Sequence, residues 1–172
     1  MLDFTEIRFS PLLKQPTIVS GQLGYEGPES LDRNVMRPYR EETRIRGNAV
    51  RVSREGQAER SFATQRAPEL QLLLRTFTAL LQGDAAAIAR DFTIDAARND
   101  PAWQLRLLPK DKRLGKRVET IRIDGRSDSP RCLTIVKDER SASVMLLGQA
   151  AHLELPSVVT LEWLDRICAS GE

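Results

Sequence analysis

A mainly β, α+β fold built on one antiparallel sheet is what this sequence predicts, and three observations predict it. Short stretches in both halves of the chain alternate apolar and polar residues, the side-chain period of a strand with one covered face. Hairpin-length connections marked by Gly, Asn, Asp and Pro join them, so neighbours run antiparallel, and the strand–helix alternation of a parallel sheet is missing. A leucine-rich segment in the middle changes the period and reads as a helix. A sheet with one apolar face must cover it, by closing on itself or by laying helices across it.

The elements follow in order. In residues 18–25, Val19, Gly21, Leu23 and Tyr25 share one strand face, and Gly27-Pro28 then turns the chain. Residues 34–46 form a longer extended stretch interrupted by Pro38, which belongs at an edge or bulge. Gly47-Asn48 signals a hairpin into residues 49–54, and Glu55-Gly56 turns into residues 57–64. After Pro68, residues 69–82 place Leu70, Leu73, Leu74, Phe77, Leu80 and Leu81 on a helical stripe that Gly83 ends. Asp84 caps a second short helix, 85–90.

Strands resume at 92–94 and at 103–107, where Trp103, Leu105 and Leu107 share a face. Residues 118–124 pair Ile121 with Ile123 on one side, Asp124-Gly125 reads as a turn, and strands 132–137 and 143–147 follow, separated by residues 138–140. After Pro156, residues 157–168 read as a terminal helix, with Val158, Leu161 and Leu164 aligned. The expectation is roughly nine strands in one domain spanning residues 1–172.

Composition narrows the function. Twenty-six basic residues against 24 acidic ones leave a formal +2, too balanced for a dedicated nucleic-acid binder. No run of 18 apolar residues exists to span a membrane as a helix. Residues 1–6 show no basic region followed by an apolar core, so no signal peptide is visible in the sequence. Cys132 and Cys168 fit no zinc or CxxC spacing and read as two ordinary buried thiols rather than a disulfide.

Catalytic and cofactor signatures are weak. His152 is the sole histidine, stands after the last strand with no GxSxG elbow, and reads as an exposed loop residue. One His and two separated Cys make no His-rich metal cluster. Gly21-x-x-Gly24-x-x-Gly27 lies in a strand and opens no helix, so it is not a phosphate loop. Acidic residues are scattered among arginines, as in Arg40-Glu41-Glu42-Thr43-Arg44, which reads as charge pairing on a solvated face. No cofactor and no metal site is expected.

Two features remain. Lys110, Lys112, Arg113, Lys116 and Arg117 form the densest basic cluster, read as a solvated hairpin tip or as a landing site for an anionic membrane or acidic partner. The apolar stripe collects Leu23 and Tyr25, then Leu73, Phe77 and Leu80 of the central helix. Trp103, Leu105 and Leu107, with Ile121, Ile123 and Ile135, continue it on later strands. These residues are either ordinary core or an underfilled surface that a ligand completes.

The order of signals resembles the LolA-like lipoprotein carrier family. The residues that carry it are Phe4-x-x-x-Arg8-Phe9-x-x-Leu12-Leu13-x-x-Pro16 and Ser20-Gly21-x-Leu23-x-Tyr25-x-x-Pro28-x-x-Leu31. Pro38-x-x-Glu41 before a hairpin, the Leu-rich helix ending at Gly83-Asp84, and Phe92 opening a strand continue it. Trp103-x-Leu105-x-Leu107-x-Pro109 and Asp138-x-x-x-Ser141 complete it, over about residues 4–148, with the helical segment 156–172 outside.

The resemblance implies a half-open antiparallel β-barrel with helices covering the concave face, working in the bacterial periplasm. It implies a monomeric, non-catalytic carrier of acyl chains, taking a lipoprotein or another acyl or polyene lipid from an inner-membrane donor to an outer-membrane acceptor. Two departures stand out. Gly27 occupies the position of a basic residue that latches the lid, so that latch is not carried over. The family's signal peptide and first amphipathic helix have no counterpart before residue 4, which implies a longer mature protein. The other readings are a packed interaction module docking through the basic hairpin and an enzyme of lipid metabolism, the latter needing converging polar groups in a pocket.

Overall fold

The computed structural model describes residues 1–27, 30–66, 76, 78–79 and 84–170. Eleven strands alternate direction in a sheet of order β6-β5-β4-β3-β2-β1-β11-β10-β9-β8-β7. The chain divides into two compact units, Met1–Asp3 with Val19–Asp91, and Phe4–Ile18 with Phe92–Glu172. The mainly β class with a few helices is as expected, but among the described residues the strands number eleven rather than nine.

The first unit is built on β2 (Thr17–Gly27), β3 (Ser30–Arg37), β4 (Glu41–Arg46), β5 (Ala49–Arg54) and β6 (Arg60–Ala63). The single stretch expected over residues 34–46 is two strands, and Pro38 stands in the turn between them rather than at an edge or bulge. A proline has no N–H to give a ladder, so it suits the connection better than either strand. Gly47, at φ 54°, makes the two-residue hairpin that Gly47-Asn48 signals. At Gly21 the β2–β3 register shifts, and a Cβ there would lie 1.8 Å from the Asn34 carbonyl oxygen. Only glycine lets the bulged strand approach so closely.

Residue alternation sorts this unit's faces. Leu31, Ile45, Val50, Val52 and Phe62 pack on one. The register adds Leu23 and Tyr25, opposite Arg33 and Leu31. The other face carries charge: Arg46 meets Asp32 at 2.8 Å and Arg44 meets Glu42 at 2.6 Å. Thr76, Thr78 and Ala79 are helical and buried. The rest of the helix expected over residues 69–82, and its cap Gly83, lie outside the described residues. The short helix α1 (Ala85–Asp91) follows, and Asp84 Oδ1 accepts the Ala87 N–H at 2.9 Å, the cap expected of it.

The second unit holds β1 (Leu2–Phe9) from Phe4 onward, β7 (Phe92–Asn99), β8 (Ala102–Pro109), β9 (Thr120–Arg126), β10 (Ser129–Asp138) and β11 (Ser141–Leu147). A one-turn helix, α2 (Lys112–Gly115), links β8 to β9, and α3 (Leu161–Ser170) ends the unit. The turn expected at Asp124-Gly125 is not there: both residues belong to β9, and Ser127, at φ 54°, turns the chain into β10. Helix α3 begins four residues later than expected, because Thr160 Oγ1 accepts the Trp163 N–H at 3.1 Å and so caps it.

Cys132 and Cys168 are not free thiols; they form a disulfide with a Cα–Cα separation of 5.7 Å. Residue 132 of β10 and residue 168 in the last turn of α3 are 36 positions apart, and only the packing of helix on sheet brings them within bridging range. Around the bond, Ile7, Val144, Leu146, Ala150, Val159 and Leu164 make a buried cluster. Arg122 adds a polar tie, donating to Asp165 of α3 and, at 2.9 Å, to Asp124 of its own strand. Burial lowers the Arg122 pKa, but the bond to Asp165 and the charge of Asp124 outweigh it and hold the guanidinium above its ordinary value.

Candidate functional site

Strand registers in the second unit define the face opposite α3 residue by residue. Trp103, Leu105 and Leu107 of β8 lie across from Gly125, Ile123 and Ile121 of β9. Ile123 and Ile121 in turn face Leu133 and Ile135 of β10, and Leu133 faces Met145 of β11. On the other side Ile94 and Ala96 of β7 oppose Leu107 and Leu105. Directly opposed side chains point the same way, so these strands present one continuous apolar surface. Cys132, Thr134, Val144 and Leu146 alternate to the side that α3 covers. The expectation that each strand has one apolar and one polar face therefore fails at β10 and β11, which are apolar on both.

This face is packed unevenly. Leu107 and Ile121 are fully buried and Ile123 nearly so, whereas Trp103, Leu105, Leu133, Ile135 and Met145 are only partly covered. Toward the β7 edge lies a shallow depression of about 360 Å³, bordered by Ala96, Arg98, Trp103 and Leu105 of this face and by Ala97 and Gln104, which alternate to the other. That volume lies within the roughly 300–1,000 Å³ range of small-molecule sites. A larger hollow of about 540 Å³ sits on the charged face of the first unit, lined by Asp32, Glu42, Arg44, Arg46 and Arg51 among others. Charged side chains dominate its lining, the Arg46–Asp32, Arg46–Glu26 and Arg44–Glu42 pairs among them, which suits an apolar ligand poorly.

Trp103 is held in place by a missing side chain. Its ring lies over Gly125, where an added Cβ would come within 2.0 Å of the indole Cζ2, and its Nε1 donates to the Ser127 carbonyl at 2.9 Å. Glycine in a strand is otherwise unfavourable, so its use here marks a close approach. Gly125→Ala is expected to displace the indole, shift tryptophan emission and cost about 1–3 kcal/mol in urea unfolding. An unchanged emission spectrum would show that the ring does not rest there.

At β1 the apolar face ends in a polar cluster that the sequence reading missed. Glu6 is 5% exposed, bonded to Arg8 Nε at 2.6 Å, Arg8 Nη2 at 3.0 Å and Ser143 Oγ at 2.8 Å. The Glu-x-Arg spacing puts both charges on one strand face, and that spacing was the available signal.

The expected lipid-binding residues thus fall into groups. Leu107, Ile121 and Ile123 are buried in the second unit's sheet, while Trp103, Leu105 and Ile135 keep exposed surface beside them. Leu23, buried, and Tyr25, partly so, belong to the apolar face of the first unit. Leu73, Phe77 and Leu80 lie outside the described residues. Lys110, Lys112, Arg113, Lys116 and Arg117 are all exposed around α2, whose first turn is capped by Asp111. His152 is exposed at the end of a 3-10 turn, Gly148–His152. Gly27, in the latch position, has φ 142°, a conformation that a basic side chain would adopt only under strain. Among the described residues no group of three or more His, Cys, Asp or Glu side chains could hold a metal ion, and no helix is long and apolar enough to cross a membrane.

Comparison with known proteins gives the family. No curated protein matches the chain. Among solved structures, a LolA superfamily protein from Nitrosomonas europaea is 10% identical, with 98% of this chain and 88% of that one covered and a TM-score of 0.40. The family described as outer membrane lipoprotein carrier protein LolA-like matches residues 1–171, through the terminal helix. With its whole length matched, the chain belongs to the LolA-like family.

Proposed function

We propose that this protein is a non-catalytic periplasmic carrier that shelters the acyl chain of a lipoprotein or related lipid and passes it toward the outer membrane. One observation carries the reading: the apolar face formed by Trp103, Leu105, Leu133, Ile135 and Met145 is incompletely covered, although α3 seals the sheet's opposite side. Leu107 and Ile121 of this face are closed over, so the uncovered side chains beside them are apolar surface that folding has left open. Each methylene buried there contributes about 0.8 kcal/mol, so ten supply about 8 kcal/mol before ordering costs.

Family membership supports the carrier role, and the Cys132–Cys168 bond supports an oxidising compartment such as the periplasm. Holding by apolar contact requires no catalyst. Release requires a partner that favours the emptied state, which is where an inner-membrane donor and an outer-membrane acceptor enter.

The test is direct. Protein isolated under native conditions, extracted and examined by lipid mass spectrometry, is expected to yield an acylated species. The delipidated protein is expected to bind a hydrophobic dye such as N-phenylnaphthylamine, displaced more strongly by fatty acids of increasing chain length. Absence of both lipid and dye binding would end the carrier reading.

A further inference from the structure

We propose that the end of the second unit carrying the β1–β2, β8–β9 and β10–β11 connections docks on the surface of an anionic phospholipid bilayer. This goes beyond the carrier reading and does not depend on it. The strand registers place the three connections together: Phe9 ends β1 opposite Ala142, Asp138 closes its hairpin on Ser141, and Val136 pairs with Thr120 at the start of β9. The Glu119 N–H donates to the Val136 carbonyl at 2.8 Å, fixing the last residue of the β8–β9 connection to the same edge.

The first of these connections presents bare leucines. Ser10-Pro11-Leu12-Leu13 is a turn closed by the Leu13 N–H donating to the Ser10 carbonyl at 3.1 Å, and Ser10 Oγ accepts the Leu12 N–H at 3.3 Å. Ser at the first position and Pro at the second are the residues such a turn favours, so the loop is set rather than loose. It holds Leu12 at 91% and Leu13 at 52% exposure. Ile18 and Leu108 are exposed at the same end, making four of the seven exposed large apolar side chains among the described residues. Scattered exposed leucines are ordinary, but this concentration is not.

Cations share this end of the unit with the leucines. Residues 10–16, 110–119 and 137–140 hold eight basic residues against four acidic ones, a net +4 on a chain whose total is +2. Lys14, Lys112, Arg113, Lys116 and Arg140 are exposed. Two of the four carboxylates, exposed themselves, are engaged by neighbouring backbone amides: Asp111 accepts the Arg113 and Leu114 N–H groups at 2.8 and 2.9 Å, and Asp138 accepts the Arg140 N–H at 2.9 Å.

Geometry selects the occupant. With strands about 4.8 Å apart, the leucine turn on β1 and the basic connection between β9 and β8 are separated by about 15–19 Å. Neither hollow described above is lined by these residues. A flat surface engages both at once, with leucines in the acyl boundary and cations at the headgroups, the arrangement of interfacial anchors.

Sedimentation with vesicles of phosphatidylglycerol and phosphatidylethanolamine tests this. The wild-type protein is expected to co-sediment, to dissociate as salt is raised, and to bind phosphatidylcholine vesicles at least about tenfold less. Leu12→Ser with Leu13→Ser, and separately Lys112→Ser with Arg113→Ser and Lys116→Ser, each lower binding by about tenfold or more. All five positions are exposed, and circular dichroism checks that the fold is kept. Leu105→Glu binds these vesicles like wild type even where it no longer binds dye, which separates docking from cargo binding. Failure to bind anionic vesicles, equal binding to phosphatidylcholine, or binding untouched by both variants would overturn the proposal.

Discussion

Leu105→Glu is expected to weaken dye and fatty-acid binding by at least about 100-fold, equivalent to about 2.7 kcal/mol, while the protein remains folded. Leu105 is flanked by Ile123 on β9 and Ala96 on β7 and borders the open depression, so its side chain meets whatever fills that space. A carboxylate there keeps some access to water while the site is empty, so the free protein tolerates it. When an acyl chain covers it, the charge must be desolvated with no partner, a penalty of several kcal/mol. Leu107→Glu makes the contrast. Leu107 is two residues along the same face and fully buried, so the same charge has no route to solvent and the sheet itself is lost. The measurements are a dye titration and a urea melt on each variant. Binding by Leu105→Glu at wild-type strength would move the cargo off this face.

The outcome at Leu105 also bears on how much of the site was legible. Trp103, Leu105 and Leu107 alternate with Gln104 and Arg106, and that period alone places them on one face, as the registers show. Burial along the face was not legible. Leu105 and Leu107 have the same chemistry and the same side of the strand, yet one borders a depression and the other is closed over. That difference is set by what lies above each residue, and strand periodicity carries no information about a third layer. The Glu6–Arg8–Ser143 cluster was hidden for a related reason: Ser143 is 137 positions from Glu6 and reaches it only because β11 pairs with β1.

The strands missed or misplaced share a physical cause. Alternation is a signal of half-buried strands, and β1 is not one: Phe4 and Glu6 are buried on one side, Thr5 and Ile7 on the other. A strand covered on both faces loses the period that reveals it. At Asp124-Gly125 the dipeptide matches a hairpin turn, but tertiary packing overrides it, because the Trp103 ring needs a residue without a Cβ inside the strand. Local signals that involve only neighbours fared better. Asp84 capping α1 and Gly47 turning β4 into β5 are contacts within a few residues, and both are where the sequence places them.

Removing the disulfide is expected to lower stability by about 3–4 kcal/mol, from the entropy of closing a loop of this length, and to lower the melting temperature by about 10 °C. The separation of 36 residues spans β11, the turn after it and all but the end of α3, so the reduced unfolded chain regains considerable freedom. Cys132→Ser with Cys168→Ser, compared with wild type in urea and by calorimetry, measures the loss. Thiol titration of the unreduced, unfolded protein must find none free; two titrating thiols would remove the bond from the account. The same variant separates the sheet's two faces. Cys132 points to the side where Leu164 and Val144 pack, and Leu105 points to the other. Far below the melting temperature, the variant should therefore bind dye as wild type does. If affinity falls together with stability, the sealed face and the open one are mechanically coupled, and α3 helps to shape the cargo surface rather than only closing the back of the sheet.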